Sequence, residues 1–155
     1  RRIWLGRKSA FGAMGQINDY MCLDGTIPVS KLPFVLRRIS ELSQEFGLEV
    51  GNVFHAGDGN MHPLILYNAN KEGDLERCEA FGAEILKLCV EVGGCLTGEH
   101  GVGIEKRDLM SVQFSALDLE AQMKIKDVFD PNWLLNAAKV FPLDVSQTRR
   151  DGSPQ

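Results

Sequence analysis

Apolar positions along the chain change their period several times, and each change marks an element. Ile3 to about Phe11 reads as a short helical or irregular opening, and the loosely alternating run Gln16 to Asp24 predicts a strand after the GAMG turn. Phe34, Leu36, Ile39, Leu42 and Phe46 then recur at helical spacing. Ser30 is the expected N-cap of that helix, Pro33 fits its first turn and Gly47 ends it. Two strands follow, Glu49 to His55 and Met61 to Tyr67, joined by a turn around Gly57, Asp58 and Gly59. A long helix is expected from about Gly73 to Val92, with Leu75, Cys78, Phe81, Ile85, Leu88, Cys89 and Val92 on one stripe, closed by Gly93 and Gly94. A fourth short strand spans Cys95 to Thr97. The last helix starts after Ser115, is backed by Leu117, Leu119, Met123, Ile125 and Val128, and stops at Asp130 and Pro131.

The strand and helix order, βαββαβ, predicts an α+β domain of the ferredoxin-like kind. Its helices would cover one face of an antiparallel sheet and leave the other face for a partner. One domain over residues 1–145 is expected, then a polar tail, 146–155, that should be disordered.

Composition narrows the classes. With 44% hydrophobic and 25% charged residues among 155, the chain reads as a soluble globular protein. A net charge of -4 argues against a nucleic-acid surface, which needs a clustered basic field. No apolar run reaches the roughly 18 residues of a membrane span. Cys22, Cys78, Cys89 and Cys95 have no CxxC spacing and read as reduced thiols of a cytoplasmic protein. The chain opens on Arg1 without a methionine, straight into an apolar Ile3, Trp4, Leu5 patch, as an excised piece of a larger protein would.

All three histidines fall in two glycine-rich stretches, HAGDGNMH (55–62) and TGEHGVG (97–103). Imidazole and carboxylate are ligands of borderline divalent metals. His55, His62, Glu99 and His100 therefore offer three ligands and one imidazole left for proton transfer. If the hairpin loop runs from Ala56 to Met61, His55 and His62 face each other across the ladder, roughly 5 Å apart at Cβ. A non-catalytic ferredoxin-like module that holds a metal or an anion is the competing reading; a zinc hydrolase would need a motif such as HExxH, which is absent.

Five separated motifs agree in order and spacing with one family. WLGRKSA, YMCLDGTIPVSKL, HAGDGNMHPL, GGCLTGEHGVGIEKRDLM and FDPNWLLNAAKVFP resemble the C-terminal domain of the FAD-linked oxidases. The likeness is strongest to flavin subunits of glycolate oxidase, and D-lactate and D-2-hydroxyglutarate dehydrogenases share the two histidine motifs. The resemblance implies oxidation of a small D-2-hydroxy acid by hydride transfer to FAD, with a divalent metal, Zn or Mn/Fe, in the substrate site. It implies His55, His62 and Glu99 as metal ligands and His100 as catalytic base. Arg7 resembles the arginine that pairs with the substrate carboxylate, Asn60 lines the substrate, and Asn136 and Lys139 return to the flavin. Implied partners are the FAD-binding domain of the same protein and electron-transfer subunits, which could bring a cytoplasmic protein to the inner membrane periphery.

The chain departs from the family in two ways. Where the family reads LeuAsnProGlyLys, this chain has Asn136, Ala137, Ala138 and Lys139 after Leu135; losing proline and glycine frees the segment from a fixed turn and favours helix. The chain also carries no GxGxxG stretch or other nucleotide cradle. By itself it should bind no FAD and turn over no substrate, and Trp4, Leu5 and Phe141 should be exposed and favour self-association.

Overall fold

The computed structural model describes residues 2–150. The chain divides into two compact units, Arg1–Glu99 and His100–Gln155.

The first unit is an α+β sandwich. Helix α1 is Arg2–Met14, followed by strands β1 (Asp19–Cys22) and β2 (Gly25–Thr26), helix α2 (Leu32–Phe46), strands β3 (Val50–His55) and β4 (Asn60–Tyr67), and helix α3 (Asp74–Glu91). The expected strand from Gln16 to Asp24 is thus confined to Asp19–Cys22, and after a break at Leu23 and Asp24 pairing resumes at Gly25 and Thr26, beyond its expected end. The register is kept: Cys22 pairs with Leu64 before the break and Gly25 with Met61 after it. Strand β4 lies between β3 on one side and β1 and β2 on the other, all antiparallel. The fourth expected strand is reduced to one bridge, Cys95 with Thr26, so the spatial order is that of a ferredoxin-like sheet.

One face of the sheet meets α2 and α3. Val35, Ile39 and Leu42 from α2 and Cys78, Phe81, Ile85 and Cys89 from α3 are buried with Met61 and Ile65 of β4. Phe46 stacks on Phe81 at 5.3 Å. Gly25 lets α3 approach closely, since a Cβ there would lie 2.7 Å from Cys89 Sγ. Burial pushes the Cys78 thiol up to about 11, which keeps it protonated. All four cysteines are free thiols. The opposite face is not left bare: α1 reaches it, with Met14 over Gly51 and Phe11 against Tyr20, ring centroids 6.4 Å apart.

Ser30 does not cap α2. It lies in a 3-10 turn, Val29–Lys31, that runs directly into the helix, and the cap position falls to Lys31 with no side-chain bond. Pro33 near the helix start and left-handed Gly47 at its end are as the sequence predicts.

The second unit holds the short helix α4 (Met110–Gln113), α5 (Ala116–Phe129) and α6 (Leu143–Arg150). Ser115 caps α5 through a reciprocal capping box with Asp118. The predicted apolar stripe of α5 holds only at Leu119 and Met123; Leu117, Ile125 and Val128 are exposed. No helix forms over Asn136 to Lys139. Instead Trp133, Asn136, Ala138 and Val140 take positive φ, which interrupts helical continuity. Asp130 accepts from Leu134 N and Leu135 N, Arg107 donates to Ala138 O, and Val140 N donates to Gly103 O.

Phe141 is buried against Trp133, ring centroids 5.7 Å apart, contrary to its expected exposure, whereas Trp4 and Leu5 are exposed. The start of the polar tail is helical because Ser146 N and Oγ both return to Pro142 O; residues 151–155 of the expected disordered tail lie outside the described residues. Among the described residues, no helix is long and apolar enough to cross a membrane.

Candidate metal centre

Hairpin β3–β4 turns through four residues, Ala56 to Gly59, with Asp58 N donating to His55 O at 3.0 Å. Gly59 has φ +71, and a Cβ there would strike Ile27 O at 2.1 Å, so only glycine fits. This loop is shorter by two residues than the sequence expectation. His55 is therefore paired with Asn60, and His62 with Val53. A shift of two positions preserves the face on which a side chain points, and the imidazoles become diagonal neighbours. Their centroids are 5.5 Å apart with the rings nearly perpendicular, at 84°. His62 is buried and His55 half-buried.

Glu99 closes the triangle. His55 Nε2 lies 3.9 Å from Glu99 Oε1, and His62 Nε2 lies 4.0 Å from Glu99 Oε2. One ligand atom from each of the three residues fits within 4.8 Å of the others. What fixes Glu99 is Asp24, in the break between β1 and β2, whose exposure is 0%. Its carboxylate accepts from Glu99 N at 2.9 and 3.1 Å, from Gly98 N at 3.0 Å and from Thr97 Oγ1 at 2.8 Å. Burying a carboxylate is tolerated when such donors replace water. Gly98 is required for close approach, because a Cβ there would meet Asn60 Oδ1 at 2.7 Å.

The histidine tautomers follow from their partners. His62 Nδ1 is 3.1 Å from Leu23 O, which can only accept, so Nδ1 carries the proton and the Nε2 lone pair faces Glu99. His55 Nδ1 is instead 3.1 Å from Arg7 Nη2, which can only donate. In this arrangement Nδ1 of a neutral His55 accepts, and its proton sits on Nε2.

Of the residues singled out from sequence, Arg7, His55, Asn60, His62 and Glu99 come together in the first unit. His100, Asn136 and Lys139 belong to the second. His100 follows Glu99 in an exposed loop. Asn136 and Lys139 lie exposed on their turn, Lys139 N donating to Asn136 O at 3.2 Å. Sequence reasoning missed Asp24; its signal is an acid that ends the run Tyr20 to Leu23 and is followed at once by glycine.

The donor set suits a divalent metal on chemical grounds. Two imidazole nitrogens and a carboxylate converge on one point. Beside them, the buried Asn60 Oδ1 has no hydrogen-bond partner, and such an orphaned acceptor calls for one.

A ferredoxin-like α+β unit with a histidine-carboxylate cluster on the sheet face opposite its two long helices defines a site-bearing domain. The profile of the family "FAD linked oxidases, C-terminal domain" matches residues 1–140. The chain belongs to that family. It is 54% identical over 142 residues to the glycolate oxidase subunit GlcD of Escherichia coli K12, covering 91% of this chain and 28% of the relative. It is 32% identical over 139 residues to the subunit of the same name in Bacillus subtilis, covering 89% and 30%. A mitochondrial cytochrome-type D-lactate dehydrogenase of Kluyveromyces lactis is 35% identical over 121 residues, covering 78% and 20%. The chain thus spans less than a third of the length of these relatives.

Proposed function

We propose that the chain is the metal- and substrate-binding part of an FAD-dependent oxidoreductase acting on a small D-2-hydroxy acid of the glycolate or lactate type. The flavin belongs to another domain of the whole protein, with Asn136 and Lys139 directed to it. The observation that carries the reading is the convergence of His55 Nε2, His62 Nε2 and Glu99 on one point of the sheet. Membership of a family of FAD-linked oxidases supplies the reaction class.

In this reading His55, His62 and Glu99 hold a divalent ion, Zn or Mn/Fe. Such an ion, when bound, lowers the pKa of a coordinated hydroxyl. The remaining steps belong to side chains of this chain. His100 takes the hydroxyl proton, and Asn60 offers its amide to the substrate. Were His55 Nε2 to hold such an ion, its Nδ1 would carry the proton and would not accept from Arg7, whose planar guanidinium would be left to pair with the substrate carboxylate.

The test uses the full-length protein with its flavin. His55→Ala and His62→Ala should lose bound metal and hydroxy-acid oxidation together. His100→Ala should keep the metal and turn over roughly 100-fold more slowly, the range of a lost general base. Equal metal loss in all three variants would make His100 a ligand and overturn the assigned roles.

A further inference from the structure

Proline 63 stands where a sheet normally excludes proline. Strand β4 is paired on both sides, and a proline in such a strand withholds one ladder hydrogen bond. The register shows which one. Leu23 lies opposite Pro63, between the pairs Cys22 with Leu64 and Gly25 with Met61, and Leu23 N donates to Pro63 O at 3.0 Å. In an antiparallel ladder such a pair exchanges two bonds. The return bond, from the nitrogen of residue 63 to Leu23 O, cannot form.

The carbonyl left over is the one that His62 uses. His62 Nδ1 is 3.1 Å from Leu23 O, and both residues are buried. The Cys22 thiol, at 3.5 Å, approaches the same oxygen as a weaker donor. Asp24 Oδ1 sits 4.0 Å from His62 Nδ1. With Nδ1 protonated, Nε2 keeps its lone pair and faces Glu99 Oε2. A hydrogen bond from the far ring nitrogen is how protein scaffolds orient a ligating histidine and fix its tautomer.

We propose that Pro63 is a positioning residue for His62: by removing a ladder N–H it reserves the Leu23 carbonyl for the imidazole, and so presents Nε2 to the Glu99 side of the cluster. The proposal rests on the metal-site reading only for its purpose, because the tautomer it requires exists with or without a metal. The rest of the strand break completes the arrangement. Leu23 orients one member of the cluster through its carbonyl, and Asp24 fixes another through the amide of Glu99.

The decisive variant is Pro63→Ala, which restores the missing N–H at a position whose backbone is already extended. That N–H competes with the imidazole for Leu23 O. With three histidines in the sequence, the full chain labelled with 15N-histidine gives few ring signals, and His62→Gln assigns those of residue 62. In the wild type, His62 should show a protonated Nδ1 and an unprotonated Nε2. In Pro63→Ala the signals should move toward the other tautomer, and the dissociation constant for Zn2+ alone should rise about 10- to 100-fold, the range for a lost second partner of a ligand. Pro63 is fully buried, so Pro63→Ala loses packing as it gains a ladder bond; Pro63→Val supplies the same N–H, keeps more of the volume and suits a strand, and its melting temperature should fall little.

Unchanged tautomer and Zn2+ affinity in Pro63→Ala would overturn the proposal. So would weaker binding in Pro63→Val accompanied by a large fall in its melting temperature, which is the mark of a merely structural proline. If the wild-type chain binds no Zn2+, the metal reading fails, while the ring-nitrogen signals still decide the role of Pro63.

Discussion

Each compact unit buries an aspartate that captures two consecutive backbone amides, and the two differ in what stands beside the carboxylate. Asp24 takes Gly98 N and Glu99 N and lies near His62 Nδ1. Asp130 takes Leu134 N and Leu135 N and is bonded by Lys126 Nζ at 2.7 Å. The Lys126 bond, more than the two amides, holds the Asp130 carboxyl below its usual range, against the opposing effect of desolvation. A carboxylate with its own ammonium is a self-contained anchor, and it fixes a turn. One that holds the backbone of a metal-ligand candidate beside a second candidate carries its influence into the site.

The largest expected effect breaks the first anchor. Asp24→Asn puts an amide NH2 among the N–H groups of Gly98 and Glu99, so Glu99 loses its placement. Zn2+ affinity should fall about 10- to 100-fold, with Asp24→Glu recovering only part of it because the longer chain must fit a fully buried site. Asp130→Asn should lower the melting temperature and leave Zn2+ affinity within a factor of about two. Equal effects of the two variants on metal affinity, measured by calorimetric titration, would erase the distinction.

Arg7 sharpens the same comparison from the solvent side. Because its guanidinium donates to His55 Nδ1, it holds His55 in the tautomer that opposes coordination through Nε2. Arg7→Ala should therefore tighten Zn2+ binding by several-fold, a factor of about 5 being worth roughly one hydrogen bond in an exposed setting. In the full-length enzyme the same variant should raise KM for the hydroxy acid. Weaker metal binding in Arg7→Ala would show that the contact supports the site.

Much of this architecture was legible in the chain. The βαββαβ order followed from changes in apolar period, and Gly47 and the Ser115 cap followed from local chemistry. His55, His62 and Glu99 were legible as a cluster because glycine-rich loops bearing histidine have little packing rationale. The register of the hairpin was not, since turn length depends on Gly59 fitting against Ile27 O, a contact distant in sequence. Asp24 was hidden for a similar reason: a strand pattern shows alternation, but not the loop that a buried acid will hold. The stripe of α5 was over-read because periodicity marks an apolar face without naming what covers it, and Leu117, Ile125 and Val128 remain exposed.

The turn that Asp130 anchors gives a smaller effect with the opposite sign. Ala138 sits at φ +61, a region that a side chain with a Cβ occupies at a cost. Its carbonyl is held there by Arg107 at 2.8 Å. Ala138→Gly should relieve the strain and stabilise the second unit by about 1 kcal/mol, less the entropy that glycine adds to the unfolded chain. Thermal melts should show a rise of a few degrees at most, with Zn2+ affinity unchanged. A fall in melting temperature would mean that the turn is not strained at this position.

The smallest effect is a dependence on acid carried by Asp130 and by the cap residue Asp118. Asp130 is lowered from its ordinary value chiefly by Lys126, and Asp118 by the Ser115 hydroxyl and then the Ser115 amide. A carboxyl whose folded pKa lies below its unfolded one binds fewer protons in the folded state, so its stabilisation is fully present above the unfolded value, near pH 4. It is lost as pH falls through the folded pKa, because both states are then protonated. The melting temperature of the wild type should therefore drop below about pH 4, and that drop should shrink in Asp118→Asn and again in the double variant with Asp130→Asn. Asp130 is buried and Lys126 half-buried, and salt screens exposed charge most, so added salt should change the Lys126-dependent part little. A pH profile that is the same in wild type and double variant would remove these two carboxylates as the source of acid sensitivity.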